Sequence, residues 1–427
     1  MPLVILLIGA GLLFSILSKA LPLRAWRHSI DIMRGKFDNP HEPGEISHFQ
    51  ALTSALSATL GMGNIAGVAV AITMGGPGSL FWMWIAGLVG MATKYFTCTL
   101  AVLHRKKDSR GVDQGGPMYY LEVGLGKWFK PLSIVFSICG MIGCLALFQI
   151  NQLSGLLESD YDINPLITGT VCMFLVGAVI LGGIIRVGKV TEKTVPAMFI
   201  LYVTCAIIII ISNYQQVPDV IYSIFSTAFG GESLIGAGTG LAVREVIVTG
   251  VKRAAFSNEA GIGTAPMAHG AAKTSEPVRE GLIAMLGPFL DTNVVCTLTG
   301  LVLLTTGVAA NEDGVVMTAN AFDVGLGMFG RLALTVIILL FSITTMISYS
   351  YYSLKCAKYL FGEKIGQQYV YIYLITFPLA AVLNPGTVVN IIDTCFALMA
   401  VPTLTGALLL SPHVLRATRD YFRRMNL

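Results

Sequence analysis

Apolar segments long enough to cross a bilayer recur along this chain from end to end, and no other feature limits its fold so strongly. A hydrocarbon layer about 30 Å thick takes ~20 residues of α-helix. Eleven segments of about that length or longer can be marked: 2–20, 50–74, 79–104, 131–157, 164–184, 192–213, 219–250, 279–307, 329–360, 367–383 and 387–410. Without water to bond the backbone, each must be a helix or part of a closed barrel, and long continuous apolar runs are helices. Composition agrees. The 427 residues are 54% hydrophobic and 12% charged, against about 25% charged in a soluble domain.

Lysine and arginine orient the segments. The odd-numbered connections and the C-terminal tail hold 25 of the 28 basic residues; the even-numbered connections hold only Arg331, and Lys94 and Arg244 fall within segments. The positive-inside rule then places the N-terminus outside and the C-terminus in the cytoplasm of a multi-pass plasma (inner) membrane protein, with membrane lipid as its solvent. The net charge of +4 follows from this asymmetry and gives no reason to expect a nucleic-acid partner. Segment 2–20 lacks a basic n-region and a small-residue cleavage site, so it is expected to be a retained helix rather than a signal peptide. Eight scattered cysteines with no CxxC pair or Cys/His cluster argue against a disulfide framework and a structural zinc site. Oligomeric state leaves no trace in the sequence.

Setting the first segment aside leaves ten. They divide the chain into 1–45 (N-terminal helix and cytoplasmic connection), 46–213 and 214–411 (two five-helix repeats) and 412–427 (cytoplasmic tail). An odd number of crossings per repeat gives the repeats opposite orientations, the inverted layout of many secondary transporters. The first helix of each repeat is interrupted, by 61-GMGN-64 and by 236-GAGTG-240. Glycine costs about 1 kcal/mol relative to alanine inside a helix, and Asn64 in hydrocarbon needs a partner. Alone, such glycines are close-packing sites between helices. Their matched positions, together with Asn64, favour unwound backbone at the bilayer midplane. Freed N–H groups suit a carboxylate and freed C=O groups suit Na⁺, and matched interruptions mark a transporter's binding site.

Other functional classes lack parts. All six histidines (28, 41, 48, 104, 269 and 413) lie outside the segments or at their edges, and HExxH is absent, so an intramembrane serine or zinc enzyme has no machinery. A pairing of Asp291 with Asp393 is the remaining enzymatic option. A channel builds selectivity from rings of like groups, which two dissimilar interruptions do not provide.

The stretches 61-GMGNIAGVAVAITMGGPGSLFWMWIAGLVGMATKY-95, 115-GGPMYYLE-122, 256-FSNEAGIGTAPMAHGAAKT-274 and 281-GLIAMLGPFLDTNVVCTLTGLV-302 resemble the alanine/glycine:cation symporter family, over about residues 45 to 411. The resemblance implies an all-α, leucine-transporter-type 5+5 inverted repeat with one extra N-terminal helix, sodium as the coupled ion, and a small neutral amino acid as substrate. Carried over by motif, it implies that the substrate carboxylate meets the N–H groups of Met62 and Gly63 with Asn64 beside them. Gln149 and Thr345 would face the substrate. Sodium would lie between the carbonyls of Ser57 and Leu60 and the hydroxyls of Thr344 and Thr345. The alternative for those threonines is bonding back to their own helix.

The chain departs from the family pattern at the pocket. Met62 stands for a usual threonine, Leu145 and Ala146 for a Gly-Asn pair, Thr97 and Leu354 for two glutamates, Tyr349 for a tryptophan and, by the weakest alignment, Gly238 for a phenylalanine. One methylene is worth about 1–3 kcal/mol of discrimination in an apolar pocket, so lost ring volume predicts room for a side chain larger than alanine's. The missing acids leave proton coupling open as the alternative, with Glu245 or Asp291 as the titrating group. Lys94, Arg244, Glu245, Asp291 and Asp393 fall within or near segments, and pairing among such groups is expected before substrate contact. The stretch 252–280, read as a cytoplasmic connection, serves as an inner gate or as a packed or surface segment.

Overall fold

The computed structural model describes residues 2–230, 239–308 and 314–426, and they are mostly helical. The extra N-terminal helix is α1 (Pro2–Leu17), followed by short helices α2 (Leu21–Arg24) and α3 (Trp26–Met33). The first broken helix comprises α4 (His48–Thr59) and α5 (Met62–Gly75), and α6 (Gly78–Leu103) follows. A two-strand hairpin, Lys106–Lys107 with Asp113–Gln114, and α7 (Pro117–Leu125) connect to α8 (Lys130–Gly143) and α9 (Leu147–Tyr161). Then come α10 (Pro165–Ile180), α11 (Gly183–Ser212), α12 (Val217–Ala228), α13 (Thr239–Asn258) and α14 (Ala265–His269). After α15 (Pro277–Ala284) and α16 (Leu286–Pro288), a π-helical stretch, Phe289–Cys296, runs into α17 (Thr297–Thr306). The chain finishes with α18 (Gly314–Leu326), α19 (Met328–Ala381), α20 (Pro385–Leu409) and α21 (Ser411–Met425).

Local chemistry fixes the ends. Ser47 opens α4 with a capping box: its hydroxyl accepts from the Gln50 N–H at 3.2 Å, and the Gln50 side chain accepts from the Ser47 N–H at 3.1 Å. Asn384 caps α20, with Pro385 at its first position. The 54-residue α19 is two helices joined at Gly362, whose φ of 79° no other residue type adopts cheaply. Among the described residues, seven helical stretches are long and apolar enough to cross a membrane, and three shorter helices are apolar as well. All eight cysteines are free and buried.

The second repeat departs from the sequence expectation. Segment 219–250 is two helices, α12 and α13, and Lys252 and Arg253, assigned to a connection, lie inside α13. The interruption at 236–240 falls largely outside the described residues, which resume at Thr239. Another break lies between α13 and α14, where Glu259, Gly261 and Gly263 all have positive φ. From Ser257 to Ala272 every residue is buried, so this stretch is packed into the protein and is not a surface segment. Glycine is required there by space as well as by φ: a Cβ on Gly263 would stand 2.4 Å from the Thr403 hydroxyl.

The two broken helices pack side by side, α4 against α14 and α5 against α13. The start of α4 and the stretch after α14 are stapled by backbone. The Glu45 N–H donates to the Ala271 carbonyl at 2.8 Å, and the Lys273 N–H to the Ile46 carbonyl at 2.7 Å. Arg105 adds a clamp, donating to the carbonyls of Gly270, Ala272 and Thr274. A buried carboxylate, Glu280 on α15, takes His48 of α4 on one oxygen and His269 of α14 on the other, the latter at 2.6 Å.

Candidate functional site: two facing helix breaks

Leu60 and Gly61 interrupt the first broken helix, and Met62 and Gly63 start α5. The first N–H groups of a helix have no intrahelical acceptor, so Met62 and Gly63 present donors at a fully buried point. Such an end attracts an anion. Asn64 holds the break in shape. Its Oδ1 accepts from the Gly61 N–H at 3.0 Å, and its Nδ2 donates to Asp291 Oδ1 at 2.7 Å. Its carbonyl accepts from Thr299 Oγ1 at 2.8 Å.

The end of α13 closes on this turn. A Cβ on Gly63 would come within 3.2 Å of the Ser257 Cα and 3.4 Å of the Phe256 ring. Phe256 packs edge-on against Phe148 of α9, with centroids 5.2 Å apart. Ser257 Oγ donates to Asp291 Oδ2 at 2.7 Å, so Asp291 ties both breaks to the π-helical stretch that carries it. Wide turns of this kind re-aim side chains at functional sites. Beyond Ser257, Glu259 accepts hydrogen bonds from Tyr349 on α19 and from Thr264.

The residues expected from sequence are placed as follows. Thr345 Oγ1 is 2.8 Å from the Ser57 carbonyl and 2.9 Å from that of Phe341. It also lies 2.8 Å from where a Cβ on Gly61 would be. Thr344 Oγ1 points elsewhere: it bonds back to the Leu340 carbonyl at 2.8 Å and sits 3.5 Å from Met198 Sδ. Ser348, one turn beyond Thr344, is the hydroxyl that meets the Ser57 side chain. Leu60 closes α4. Gln149 is buried on α9, and its Oε1 has no hydrogen-bond partner among the described residues. Tyr349 stands one helical turn from Thr345 on the same face of α19. Gly238 lies outside the described residues.

Among the charged residues, Lys94 and Asp291 are buried, Arg244 and Glu245 are exposed, and Asp393 pairs with Arg253 at 3.1 Å. Sequence reasoning passed over Ser257 and Glu259, although both stand in the quoted stretch 256-FSNEAGIG. The available signal was a glutamate followed by two glycines within an apolar surround.

Comparison with known proteins agrees with this architecture. MhsT, solved in complex with L-phenylalanine, matches 86% of this chain and 89% of its own at a TM-score of 0.61 with 12% identity. A Na⁺-coupled sialic acid symporter matches 95% of this chain and 81% of its own at 0.52 and 12% identity. These likenesses define a leucine-transporter-type fold. By sequence, the sodium/alanine symporter AgcS of Methanococcus maripaludis is 39% identical over 98% of this chain and 93% of its own. The probable sodium/glutamine symporter GlnT of Bacillus subtilis is 33% identical over 99% and 88%. An uncharacterized transporter of Haemophilus influenzae is 41% identical over 100% and 94%. The sodium:alanine symporter family model matches residues 1–426. The fold, the facing helix breaks and the match over the chain's length agree: this multi-pass membrane protein is a transporter belonging to the sodium:alanine symporter family.

Proposed function

We propose that the protein couples the inward movement of sodium to uptake of a small neutral amino acid, by alternating access around the facing breaks. The observation that carries this reading is the buried turn at Gly61–Asn64, where the N–H groups that open α5 sit near a carbonyl–hydroxyl pair, Ser57 and Thr345. The substrate carboxylate meets Met62 and Gly63, with Asn64 shaping the turn and Gln149, Thr345 and Tyr349 lining the pocket. Sodium takes the carbonyls of Ser57 and Leu60 and the hydroxyl of Thr345; Thr344 would have to turn from its own helix to join them. Alanine and glutamine, named for two relatives, set the range of size. Residues 46–213 and 214–411 form the inverted repeats. The N-terminus lies outside and the C-terminus in the cytoplasm.

The test is uptake of radiolabelled glycine, alanine, serine, glutamine and leucine into proteoliposomes, under an inward sodium gradient and with potassium in its place. Uptake of at least one that requires sodium is the expected result. Equal uptake in both media overturns sodium coupling, and a strict glycine/alanine preference overturns the enlarged pocket.

One observation keeps proton coupling as a second reading. Of the two acids considered for it, Glu245 is exposed, whereas Asp291 is buried and bonded to Asn64. Uptake driven by a pH gradient without sodium, and lost in Asp291→Asn, would establish it.

A further inference from the structure

Glu259 has no role in the reading above, yet it occupies the gap between α13 and α14 at 2% exposure. Its backbone has φ +53°, a conformation that costs a non-glycine residue energy and persists where surrounding structure enforces it. Both carboxylate oxygens accept, one from the Tyr349 hydroxyl and one from Thr264 Oγ1. Its neighbours locate it. Ser257, two residues earlier, backs directly onto Gly63. Tyr349 lies one turn along α19 from Thr345, which touches the first break. The carboxylate is therefore held on the second break, which packs at Ser257 against the turn carrying Met62 and Gly63.

Burial adds an independent argument. Glu259 is almost fully enclosed, its two oxygens accept from neutral hydroxyls, and among the described residues no cation pairs with it. A carboxylate held in such a medium calls for a cationic partner. An α-amino acid whose carboxylate sits at the Met62–Gly63 turn carries its ammonium one carbon away, and the facing break is the second one. Resting on the transport reading above, we infer that Glu259 recognises the substrate's ammonium group. It selects α-amino acids over acids of the same shape without that charge, and Tyr349 positions it.

The experiment compares binding to the purified full-length carrier in saturating sodium. The probe is the radiolabelled amino acid best taken up in the series above, competed with its α-hydroxy acid, lactate in the case of alanine. The wild-type protein is expected to prefer the amino acid at least about tenfold to a hundredfold, the range for a hydrogen bond between charged groups. Glu259→Gln keeps an oxygen for Tyr349 and is expected to lower amino acid affinity by that factor. It should leave the hydroxy acid within about threefold, so that discrimination collapses. Glu259→Asp retains the charge and is expected to keep a preference for the amino acid. A wild-type carrier that binds both ligands equally overturns the inference without any variant, and so does a Gln variant that still discriminates. If the wild type takes up none of the five amino acids, the transport reading itself has failed.

Discussion

Asn64 and Asp291 are joined by a 2.7 Å hydrogen bond that links the first helix break to the π-helical stretch of the second repeat. The two residues are 227 positions apart in sequence, and both are inaccessible to solvent. Removing either partner strands a buried polar group. Asn64→Ala orphans the Gly61 N–H as well as Asp291 Oδ1, and buried groups left unpaired cost about 1–3 kcal/mol each. A clear drop in melting temperature in detergent and loss of sodium-dependent uptake are expected; uptake at the wild-type level would show that the turn keeps its shape without the side chain.

Two glycines of the same helix predict opposite outcomes. A Cβ at Gly63 meets the Ser257 Cα at 3.2 Å, a backbone atom that cannot swing aside, whereas a Cβ at Gly67 meets nothing within 4 Å. Gly63→Ala should therefore cost about 1–3 kcal/mol through overpacking and cut uptake more than about tenfold. Gly67→Ala should be neutral, or stabilising by up to about 1 kcal/mol from helix propensity. Thermal melts and initial uptake rates of the pair decide this, and equal behaviour would contradict it.

Thr344 and Thr345 are adjacent, but only Thr345 reaches across to Ser57. Thr345→Val should raise the sodium concentration for half-maximal uptake by at least about tenfold, since a lost oxygen ligand is worth about as much as a hydrogen bond to a charged group. Thr344→Val, whose hydroxyl is already satisfied within its own helix, should shift it less than about twofold. Sodium titrations of both variants check the contrast, and a larger effect at Thr344 would place the ion on the other side of α19.

Glu280 predicts a stability effect with no part in substrate contact. It is fully buried and takes both His48 and His269, thereby joining α4, α14 and α15. Glu280→Ala strips two buried imidazoles of their common partner, a change worth about 3–5 kcal/mol for a broken buried pair. A large loss of melting temperature, or failure to accumulate in the membrane, is expected. A melt within a degree or two of wild type would mean that the imidazoles find other acceptors.

The first break was legible because its signals are local: two glycines and an asparagine inside an apolar helix, with the cost of each known. The broken helix between α13 and α14 was harder to read. Its glycines, Gly261 and Gly263, sit beside charged residues and small residues that elsewhere mark a surface connection, and only burial against Thr403 and Leu404 reveals them as interior. Likewise, sequence spacing makes Thr344 and Thr345 equivalent candidates. The direction each side chain takes is set by the rotation of α19 against α4 and α11, which is tertiary information. Asp291 was visible as an intramembrane acid, but its partners Asn64 and Ser257 lie far away in the chain, and no periodicity connects them.

The burial of every cysteine has a practical meaning. Cys296 lies beside Asn64 and Ser257, Cys144 follows the end of α8, and Cys356 touches Met267. In this conformation none offers its sulfur to a water-borne thiol reagent, so the unmodified protein has a dark background. Any labelling that emerges during turnover then reports which wall has parted, and the identity of the modified cysteine tells the observer from which side the molecule has opened.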